Sequence, residues 1–536
     1  MATATLTHLH NLLRSLETHP ELTFVQKLLQ RFPEAELYLV GGAVRDAALG
    51  RTQNKDYDFV VRQVAPEALQ EFLGTLGHVN LVGKTFGVFK FVPHHNNPYH
   101  PHHPSHIEPI DIALPRRESP VARTGAYRDF AVYADPFVPI EDDLSRRDFT
   151  INAMAIRLSL DGRGPAKGGG EGALIDPFGG MNDIESKTIR AVGNAHERFC
   201  EDYGRMLRAI RFACQLNFTI EKATWEALRE LAPHINDGVP SESLQSLPSS
   251  PSFPYVVPRE TIGKELVKAF THNPVHALDL CDASGLLQEL MPEVLTMKNC
   301  PQPAEYHTEG DVFVHTRMAL EALQGDMFKK EFISNPTINA TLVIATLLHD
   351  VGKPSTLKTP ELHGVDRIRC DGHDTAGATM SRAITERLKM SQYPKDSPLH
   401  VDPDNVSWLV QHHLIDAMAH VMRPGTVEKY FFKDPAMGDN LCKLIFADGS
   451  ASIMPNGAKG LEGYYRMKER IQALEALHAS KQGLPNPLLS GEEIMEVLGI
   501  PAGPQIGKAL EALREAQLEG NVKTKNEAKI WLLTKL

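Results

Sequence analysis

The sequence predicts a multidomain protein in which an α/β head is followed by all-α domains. Its 536 residues, 42% of them apolar, are enough for several hydrophobic cores. Two short apolar runs, at positions 37–40 and 110–114, have the length of buried strands. After residue 196 the apolar residues recur at helical spacing instead. We therefore expect a sheet near the N-terminus and helices in the remainder.

Acidic residues stand in or beside the predicted strands. Asp56 and Asp58 follow a glycine turn, and Asp111 lies within the second apolar run. Because side chains alternate along a strand, Asp56 and Asp58 point to the same face and can hold one or two Mg²⁺ ions. Three acids on strands predict a site for two-metal phosphoryl chemistry. A solvated Asp-x-Asp loop is the alternative.

The glycines before these acids predict a tight turn after the first strand. Gly41 and Gly42 let the backbone approach an anion closely, and Arg45 would then reach the same phosphates.

Residues 196–213 carry a charged stripe on what we expect to be one amphipathic helix. Asp202, Arg205, Arg208 and Arg211 recur at every third position. On an ordinary surface helix such a stripe is a solvated, ion-paired face. Beside the other motifs it predicts a surface that recognises a base.

Four segments, 41–46, 55–58, 146–155 and 201–208, occur in an order that resembles bacterial CCA-adding tRNA nucleotidyltransferases and their poly(A) polymerase relatives. The resemblance implies a polymerase-beta-type nucleotidyltransferase head. It implies that Asp56 and Asp58 bind Mg²⁺. Together with Asp111, which its place in the apolar run adds, they are the expected catalytic residues. It also implies that the incoming nucleotide contacts Gly42, Arg45, Arg147, Asp148, Asp202, Arg205 and Arg208.

Base selection is also implied by the resemblance. Asp202 and Arg205 resemble the pair that offers Watson–Crick-like hydrogen bonds to ATP or CTP in place of a template. The charged segment between Asp111 and Arg146 resembles the flexible loop that full CCA enzymes use to switch from CTP to ATP. Its retention favours complete CCA addition. The alternatives are a poly(A) polymerase, a CC-only or A-only enzyme, and a phosphohydrolase whose head only binds RNA.

A second set of candidate metal ligands lies in the C-terminal half. His315, His349, Asp350 and Asp448 fall on or next to predicted helices and form a mixed nitrogen and oxygen set suited to a divalent metal. They resemble the HD phosphohydrolase pattern, which implies phosphatase and 2′,3′-cyclic phosphodiesterase activities and a transition metal such as Ni²⁺, Mn²⁺ or Co²⁺. A helix cap or simple ion pair is the alternative.

Further residues resemble positions of the HD region. His373-Asp374 and His412-His413 could extend the site to a second metal. Lys353 either steadies a phosphate or is a surface lysine.

Composition limits the cellular setting and the partners. No apolar run reaches membrane-spanning length and the N-terminus lacks a signal pattern, so we expect a cytoplasmic protein without a membrane partner. Six scattered cysteines predict reduced thiols. The net charge of −11 gives no bulk attraction for RNA. The expected partners are tRNA, ATP and CTP, and the expected state is a monomer or homodimer.

Turn-rich segments indicate the domain limits. We expect an N-terminal extension over 1–36, the head over 37–165, a helical neck and RNA-binding body over 166–300, an HD domain over 301–455 and a helical tail over 456–536. Residues 162–172 predict a variable hairpin, and 94–106 and 238–258 predict surface insertions. Ser490 is the predicted N-cap of a tail helix.

Overall fold

The computed structural model describes residues 8–9, 11–12, 22–51, 57–82, 87–94, 109–120, 130–158, 174–238, 255–480 and 486–535. Asp56, the predicted hairpin at 162–172 and most of the predicted insertions at 94–106 and 238–258 lie outside these ranges. The chain folds as two compact units, one of residues 1–265 with 279–289 and the other of 266–278 with 290–536.

Among the described residues, strands occur only in the first unit. Within the described residues they are β1 (Glu36–Val40), β2 (Asp58–Arg62), β3 (Gly77–Val82), β4 (Val88–Pro93), β5 (Ile110–Ala113), β6 (Arg116–Pro120), β7 (Phe130–Ala134), β8 (Ala155–Leu158), β9 (Leu174–Ile175), β10 (Thr188–Ile189) and β11 (Thr219–Ile220).

Seven of these strands form one sheet, in the order β3-β4-β5-β2-β1-β8-β9. The pairing of β2 with β5 is parallel and the other pairings are antiparallel. The two strands expected from the apolar runs are confirmed as β1 and β5. The sheet continues past residue 165, because β9 pairs with β8 on the far side of the predicted hairpin.

An N-terminal helix covers one face of this sheet. Helix Thr23–Arg31 buries Phe24, whose ring meets the edges of Phe59 and Phe91 at centroid distances of 5.4 and 5.3 Å. Such edge-to-face contacts add to the free energy of burial. Part of the predicted N-terminal extension therefore belongs to the core of the head.

Short helices and then longer ones complete the first unit. They are Gly42–Ala48, Pro66–Leu76, Ile140–Ser145, Gly180–Glu185, Ala195–Glu201, Gly204–Leu216 and Lys222–Leu231, with 3₁₀ turns at Thr150–Asn152 and Ala232–Asn236. The next helices are Arg259–His272, Pro274–Ser284 and Leu286–Leu290, and the division between the two units falls within each of them.

The single helix expected over 196–213 is wrong. The chain forms Ala195–Glu201 and Gly204–Leu216, separated by a break at Asp202 and Tyr203. Asp202 is extended, with φ −159° and ψ 103°, and its carboxylate accepts a hydrogen bond from the Gly204 N–H at 2.8 Å. Asp side chains compete for backbone N–H groups in this way, whereas the apolar spacing carries no trace of the break.

Two segments expected to be loops contain ordered structure. Between Asp111 and Arg146, β6 and β7 pair as an antiparallel ribbon and helix Ile140–Ser145 follows. At the 238–258 insertion, Gly238 and Tyr255 form an isolated antiparallel bridge, and Val256 donates to the Asp237 carbonyl at 2.8 Å. The chain thus leaves and re-enters the core at adjacent points.

The second unit is helical throughout its described residues. The helices that follow Leu290 are Pro292–Leu295, Val312–Ala322, Asp326–Glu331, Ala340–Leu348, Lys353–Thr356, Pro360–His363, His373–Arg387, Pro403–His412, Pro424–Val427, Pro435–Ala451, Glu462–Ser480, Gly491–Leu498, Pro504–Leu518 and Lys525–Lys535, with a 3₁₀ turn at Ile415–Val421 and a π-helix at Glu428–Phe432.

Helix Ala340–Leu348 is the centre of this unit, since all nine of its residues are buried. In the tail, the predicted cap at Ser490 is confirmed as a capping box with Glu493. None of the helices within the described ranges has the length and apolar character needed to cross a membrane.

Candidate functional sites in the head and the HD region

Asp58 and Asp111 lie side by side at one place on the sheet. Strands β2 and β5 pair in parallel with these two residues in register, which puts both carboxylates on the same face. On the other side of β5, Lys90 is in register with Asp111, and its Nζ lies 2.7 and 3.1 Å from the two carboxylate oxygens. Adjacent carboxylates of this kind fit a hard divalent cation. Asp56, the third predicted acid, lies outside the described residues.

Gly41 is the tight point of the predicted glycine turn. Its φ is +70°, and a Cβ there would lie 2.8 Å from Nη1 of Arg147 and 3.8 Å from Oδ2 of Asp58. The positive φ therefore favours glycine at this position, and a larger side chain would also displace the guanidinium of Arg147. The turn brings Arg147 next to the acid site, while Gly42 begins the following helix.

Arg45 points into the core of the head. It is 6% exposed, pairs with Asp46 at 2.8 Å and donates from Nη1 to Oδ1 of Asn152 at 2.7 Å. These contacts fix its guanidinium near the glycine turn. Contact with a phosphate stays a prediction for this residue.

Arg208, which is partly exposed, forms an ion pair with the buried carboxylate of Asp148. Nε and Nη2 of Arg208 lie 2.8 and 2.5 Å from Oδ2 of Asp148, which also receives a hydrogen bond on Oδ1 from Asn152. Burial alone would raise the pKa of Asp148, but Arg208 and Asn152 hold that pKa well below its usual range. The acid is therefore charged and fixed, and it sets the position of Arg208.

The charged stripe is a network of ion pairs and hydrogen bonds, in which Arg211 is buried, Arg205 is mostly buried and Arg208 is partly exposed. Arg205 donates to Glu201 at 2.6 Å and to the Arg146 carbonyl at 3.3 Å. Arg211 is 6% exposed, pairs with Glu265 and lies 3.7 Å above the ring centre of Phe212. Interior arginines held this way present fixed guanidinium groups.

Asp202 lies at the helix break that precedes this network. Burial raises the pKa of Asp202, and the charge of Arg205 opposes that rise. The two residues that the sequence pairs for base recognition are therefore adjacent in space and electrostatically linked.

Three residues of the head site were missed by the sequence analysis. The Asp143 side chain is fully buried and accepts hydrogen bonds from Arg146 at 2.6 Å and Arg147 at 3.5 Å. Asn152 links Arg45 to Asp148, and Phe212 lies under three guanidinium groups. Asp143 stands in a run of three acids, which indicated only charge. Asn152 lies inside the segment 146–155 that carries the family resemblance, but it was given no role, and nothing distinguished Phe212 from other apolar residues of its helix.

In the second unit, the four predicted HD residues converge from three helical segments. Nε2 of His315 lies 2.9 Å from Oδ1 of Asp448 and 3.4 Å from Nε2 of His349. Nε2 of His349 lies 3.3 Å from Oδ2 of Asp350. All four are more than four-fifths buried at the side chain. This set of nitrogen and oxygen atoms fits a divalent transition metal.

Asp350 also belongs to a second group of possible ligands. Its Oδ1 lies 3.5 Å from Nε2 of His373 and 3.7 Å from Nε2 of His413, and no described donor bonds that oxygen. A Cβ on Gly352 would lie 2.2 Å from the His373 carbonyl oxygen, so glycine lets this segment contact the helix of His373. Asp350 can therefore bridge two ions. His412 lies apart, and its ring is tilted against those of Trp408 and Tyr430 at centroid distances of 4.7 and 5.0 Å.

Lys353 is buried, so the surface-lysine alternative is wrong. Its Nζ lies 2.7 Å from Oδ2 of Asp350 and 2.8 Å from Oε1 of Gln302. Burial lowers the pKa of Lys353, but the attraction of Asp350 outweighs it and raises the pKa overall.

Glu309 holds two histidines behind the cluster, and the sequence analysis missed it. Its Oε1 lies 2.8 Å from Nδ1 of His315 and 2.7 Å from Nδ1 of His307, and its Oε2 accepts from the Ile453 N–H. The hydrogen bond to Nδ1 turns Nε2 of His315 towards the cluster. Burial lowers the pKa of His315, but Asp448 and Glu309 raise it to about 9 overall.

A head with strand-borne carboxylates and arginines, joined to a helical region with a histidine and aspartate cluster, defines a nucleotidyltransferase with an HD domain. Residues 37–190 match the poly A polymerase head domain and residues 318–447 match the HD domain. The A-adding tRNA nucleotidyltransferase of Deinococcus radiodurans is 33% identical over 404 residues, which are 74% of this chain and 80% of that protein. This chain belongs to the tRNA nucleotidyltransferase family with a poly(A) polymerase head.

Other relatives agree with this assignment. The multifunctional CCA protein of Halorhodospira halophila is 33% identical over 402 residues, 74% of this chain and 78% of that protein. The crystal structure of the Bacillus stearothermophilus CCA-adding enzyme with CTP has the same fold, with a TM-score of 0.56 and 21% identity over 96% of this chain and 98% of that one.

Proposed function

We propose that this chain completes the 3′ end of tRNA with CCA, using CTP and ATP. The observation that carries the proposal is the in-register pair of Asp58 and Asp111 with Arg147 directly beside it. Relatives named for CCA addition support the choice of substrates. The predicted nucleotide contacts, Gly42, Arg45, Arg147, Asp148, Asp202, Arg205 and Arg208, are kept as part of this proposal.

The carboxylates and arginines would divide the work of nucleotide transfer. Mg²⁺ bound by Asp58 and Asp111, together with Asp56, would lower the pKa of the RNA 3′-hydroxyl and offset the charge of the leaving pyrophosphate. Arg147 would hold the triphosphate or sugar with its fork of N–H donors. Arg208, fixed by Asp148, would contact the incoming nucleotide from the adjoining helix.

Asp202 and Arg205 would select the base. A carboxylate accepts and a guanidinium donates, so together they match the Watson–Crick edge of cytosine or adenine. Arg205 is fixed by Glu201 and by a main-chain carbonyl, which restricts the positions that a base can take.

The test uses purified protein, Mg²⁺ and a tRNA that ends before its CCA. CTP alone should add two C residues, and CTP with ATP should add CCA. Long A tracts on unrelated RNAs would identify a poly(A) polymerase instead.

A-only addition is a second candidate, because one of the most similar relatives is named an A-adding enzyme. The ribbon of β6 and β7 occupies the segment that the sequence analysis associates with the switch from CTP to ATP, and its presence favours full CCA addition. Two tRNAs distinguish the candidates when CTP and ATP are supplied. Both enzymes should add A to a tRNA that already ends in CC, but only the full CCA enzyme should extend a tRNA that lacks CC.

We further propose a phosphohydrolase activity at the HD cluster. Ni²⁺, Mn²⁺ or Co²⁺ held by His315, His349, Asp350 and Asp448, with a second ion on Asp350, His373 and His413, would supply a nucleophile at neutral pH. The substrates would be phosphomonoesters and 2′,3′-cyclic phosphates. Loss of hydrolysis on chelation, with restoration by one of these metals, tests the activity.

The setting proposed for both activities is the cytoplasm, with the protein as a monomer or homodimer. All six cysteines are free thiols, which is the usual state in a reducing compartment.

A further inference from the structure

The HD cluster forms one side of a cavity of about 550 Å³. Ligand sites in proteins have volumes of roughly 300–1,000 Å³, so this cavity has room for more than one phosphate group. Asp350, Asp448, His373 and His413 line it on the cluster side. Tyr306, which is 49% exposed, lines another part.

A loop that runs from Lys358 to Gly372, here called the arginine loop, provides a further part of the lining. Its base is an antiparallel bridge in which Lys358 and Arg369 exchange two backbone hydrogen bonds of 2.7 and 2.9 Å. The returning limb, residues 367–372, lines the cavity. The loop is therefore anchored at the point where it meets the cluster.

The same limb is connected to a predicted metal ligand. The Cys370 carbonyl accepts hydrogen bonds from the His373 N–H at 3.2 Å and from Nδ1 of His373 at 2.7 Å. This contact turns Nε2 of His373 towards Asp350. The position of the limb and the position of the ligand are thus set together.

Two arginines of the limb line the cavity. Arg367 is exposed, and Arg369 pairs with Asp366 through Nη2 while its Nε is buried without a hydrogen-bond partner among the described residues. A buried N–H without an acceptor is costly, and an oxyanion would satisfy it. Lys353, the other cation of the lining, is already neutralised by Asp350.

The lining as a whole is acidic in the absence of metal. Five carboxylates line the cavity against three cations: Asp350, Asp371, Asp374, Asp416 and Asp448 against Lys353, Arg367 and Arg369. Two divalent ions would reverse this balance, so an anion should enter only the metal-loaded site. Metal ions on the cluster would bind one phosphate group, and Arg367 and Arg369 would be available to bind a second one.

We propose that the HD cavity recognises two phosphates of an RNA 3′ end: the terminal phosphate at the cluster, and the preceding phosphodiester at Arg367 and Arg369. The inference rests on the proposed hydrolase function and names its specificity residues. A planar guanidinium suits a phosphodiester because it offers paired N–H donors. Tyr306 is placed where a base could stack.

The test compares two substrates with the Mn²⁺-loaded full chain: a ribodinucleotide ending in a 2′,3′-cyclic phosphate and a mononucleoside 2′,3′-cyclic phosphate. The dinucleotide should have a lower KM. Arg367→Ala and Arg369→Ala should each raise that KM by about tenfold with little change in kcat, and leave the mononucleotide within about twofold. The KM of Arg369→Lys for the dinucleotide should lie between those of Arg369→Ala and the natural protein, because lysine keeps the charge. This intermediate value distinguishes loss of the charge from misfolding.

Arg382→Ala is the matched control, because Arg382 is an exposed arginine on helix His373–Arg387 that pairs with Asp404. If Arg367→Ala and Arg369→Ala behave like Arg382→Ala with both substrates, the inference is overturned.

Binding separates the inference from the hydrolase proposal. Calorimetry on the Mn²⁺-loaded full chain with a dinucleotide 3′-methylenephosphonate and a mononucleoside 3′-methylenephosphonate, whose C–P bond cannot be hydrolysed, reports recognition without turnover. Tighter dinucleotide binding that is lost in Arg367→Ala supports the inference even if the protein hydrolyses nothing. Hydrolysis without any preference for the dinucleotide keeps the hydrolase and refutes the inference, and the absence of both hydrolysis and preference refutes both.

Discussion

The two candidate metal sites of this chain are built in opposite ways. In the head, Asp58 and Asp111 come from neighbouring strands, and Asp111 and Lys90 are more than a third exposed at the side chain. In the HD region, His315, His349 and Asp350 come from the buried ends or interiors of helices and are at most 1% exposed. Sheet register suffices to assemble the first site, whereas the second depends on how whole helices pack.

This difference has an energetic consequence. The charged side chains of an open site keep much of their hydration, so substituting them should leave the fold intact. Such substitutions should therefore change the catalytic activity and not the stability. In a buried site the opposite charges of neighbouring side chains stabilise each other. Substituting one of them leaves its partner buried without an opposite charge, so the substitution should affect both metal binding and stability.

Asp58→Ala should have the largest effect on chemistry. Loss of a metal ligand should lower nucleotide incorporation on the order of a thousandfold, because several kcal/mol of charge stabilisation are lost. The HD hydrolysis and the fold should stay unchanged. Asp237→Asn, at an exposed acid paired with His234, is the control. Loss of both activities in Asp58→Ala would contradict two separate sites.

Lys353→Ala should have the largest effect on stability. It leaves the buried carboxylate of Asp350 without its lysine, which should cost about 3 kcal/mol or more. Native-state hydrogen exchange should show that the opening free energy of helix Ala340–Leu348 is lower than in the natural protein. The opening free energy of helix Gly204–Leu216 should not change. Lys329→Ala, at an exposed lysine of the same unit, should change the opening free energy of helix Ala340–Leu348 by less than about 0.5 kcal/mol. Equal effects of the two variants would mean that Lys353 is not a buried partner in solution.

Glu309→Gln should weaken metal binding without removing a ligand. Because Glu309 orients His315, its loss should lower Mn²⁺ affinity by about 10–100-fold, as measured by calorimetry on the full chain. Nucleotide incorporation in the head should not change. Glu305→Gln, at an exposed acid on the same segment, is the control. An unaltered affinity would show that His315 is oriented by other contacts.

Lys90→Met should have the smallest effect. Nζ of Lys90 bonds to the carboxylate of Asp111 and would compete with Mg²⁺ for it. Removing the lysine should therefore lower the Mg²⁺ concentration needed for half-maximal nucleotide incorporation. The pair is exposed, and such pairs are worth about 0.5 kcal/mol, which corresponds to roughly twofold to threefold. Lys222→Met, at an exposed lysine elsewhere in the same unit, should leave this Mg²⁺ concentration unchanged. A higher Mg²⁺ requirement in Lys90→Met would show that the lysine assists the metal.

The sequence predicted those parts of the molecule that depend on local periodicity. Strand placement was enough to name Asp58 and Asp111 as candidate ligands, but their alignment follows from the parallel register of β2 and β5, which the sequence does not show. The end of an apolar helix was enough to single out His349 and Asp350, while Asp448 lies within helix Pro435–Ala451. The break at Asp202 was not predictable from periodicity, because the apolar spacing continues through it while the carboxylate bonds to the backbone.

The surrounding contacts could not be predicted for a different reason. Gln302 acts on Lys353, which tertiary packing brings close across 51 positions, and Glu309 reaches His315 from outside the helix that carries it. Asp143 differs, because its partners Arg146 and Arg147 lie three and four positions further along the chain, a spacing that the sequence does contain. The choice of His413 over His412 depends on which side of the helix end faces Asp350, and single-residue precision at a helix end is beyond pattern analysis.

The bridge between Gly238 and Tyr255 offers a practical route into the molecule. Because the chain departs and returns one backbone pair apart, residues 239–254 can be exchanged for a short turn or for a reporter with little loop-closure cost. A fluorophore or affinity handle attached at this position would lie in the unit that carries Asp58 and Asp111 without replacing any residue of either candidate site. Substrate encounter could then be followed at the head while the cluster chemistry proceeds undisturbed.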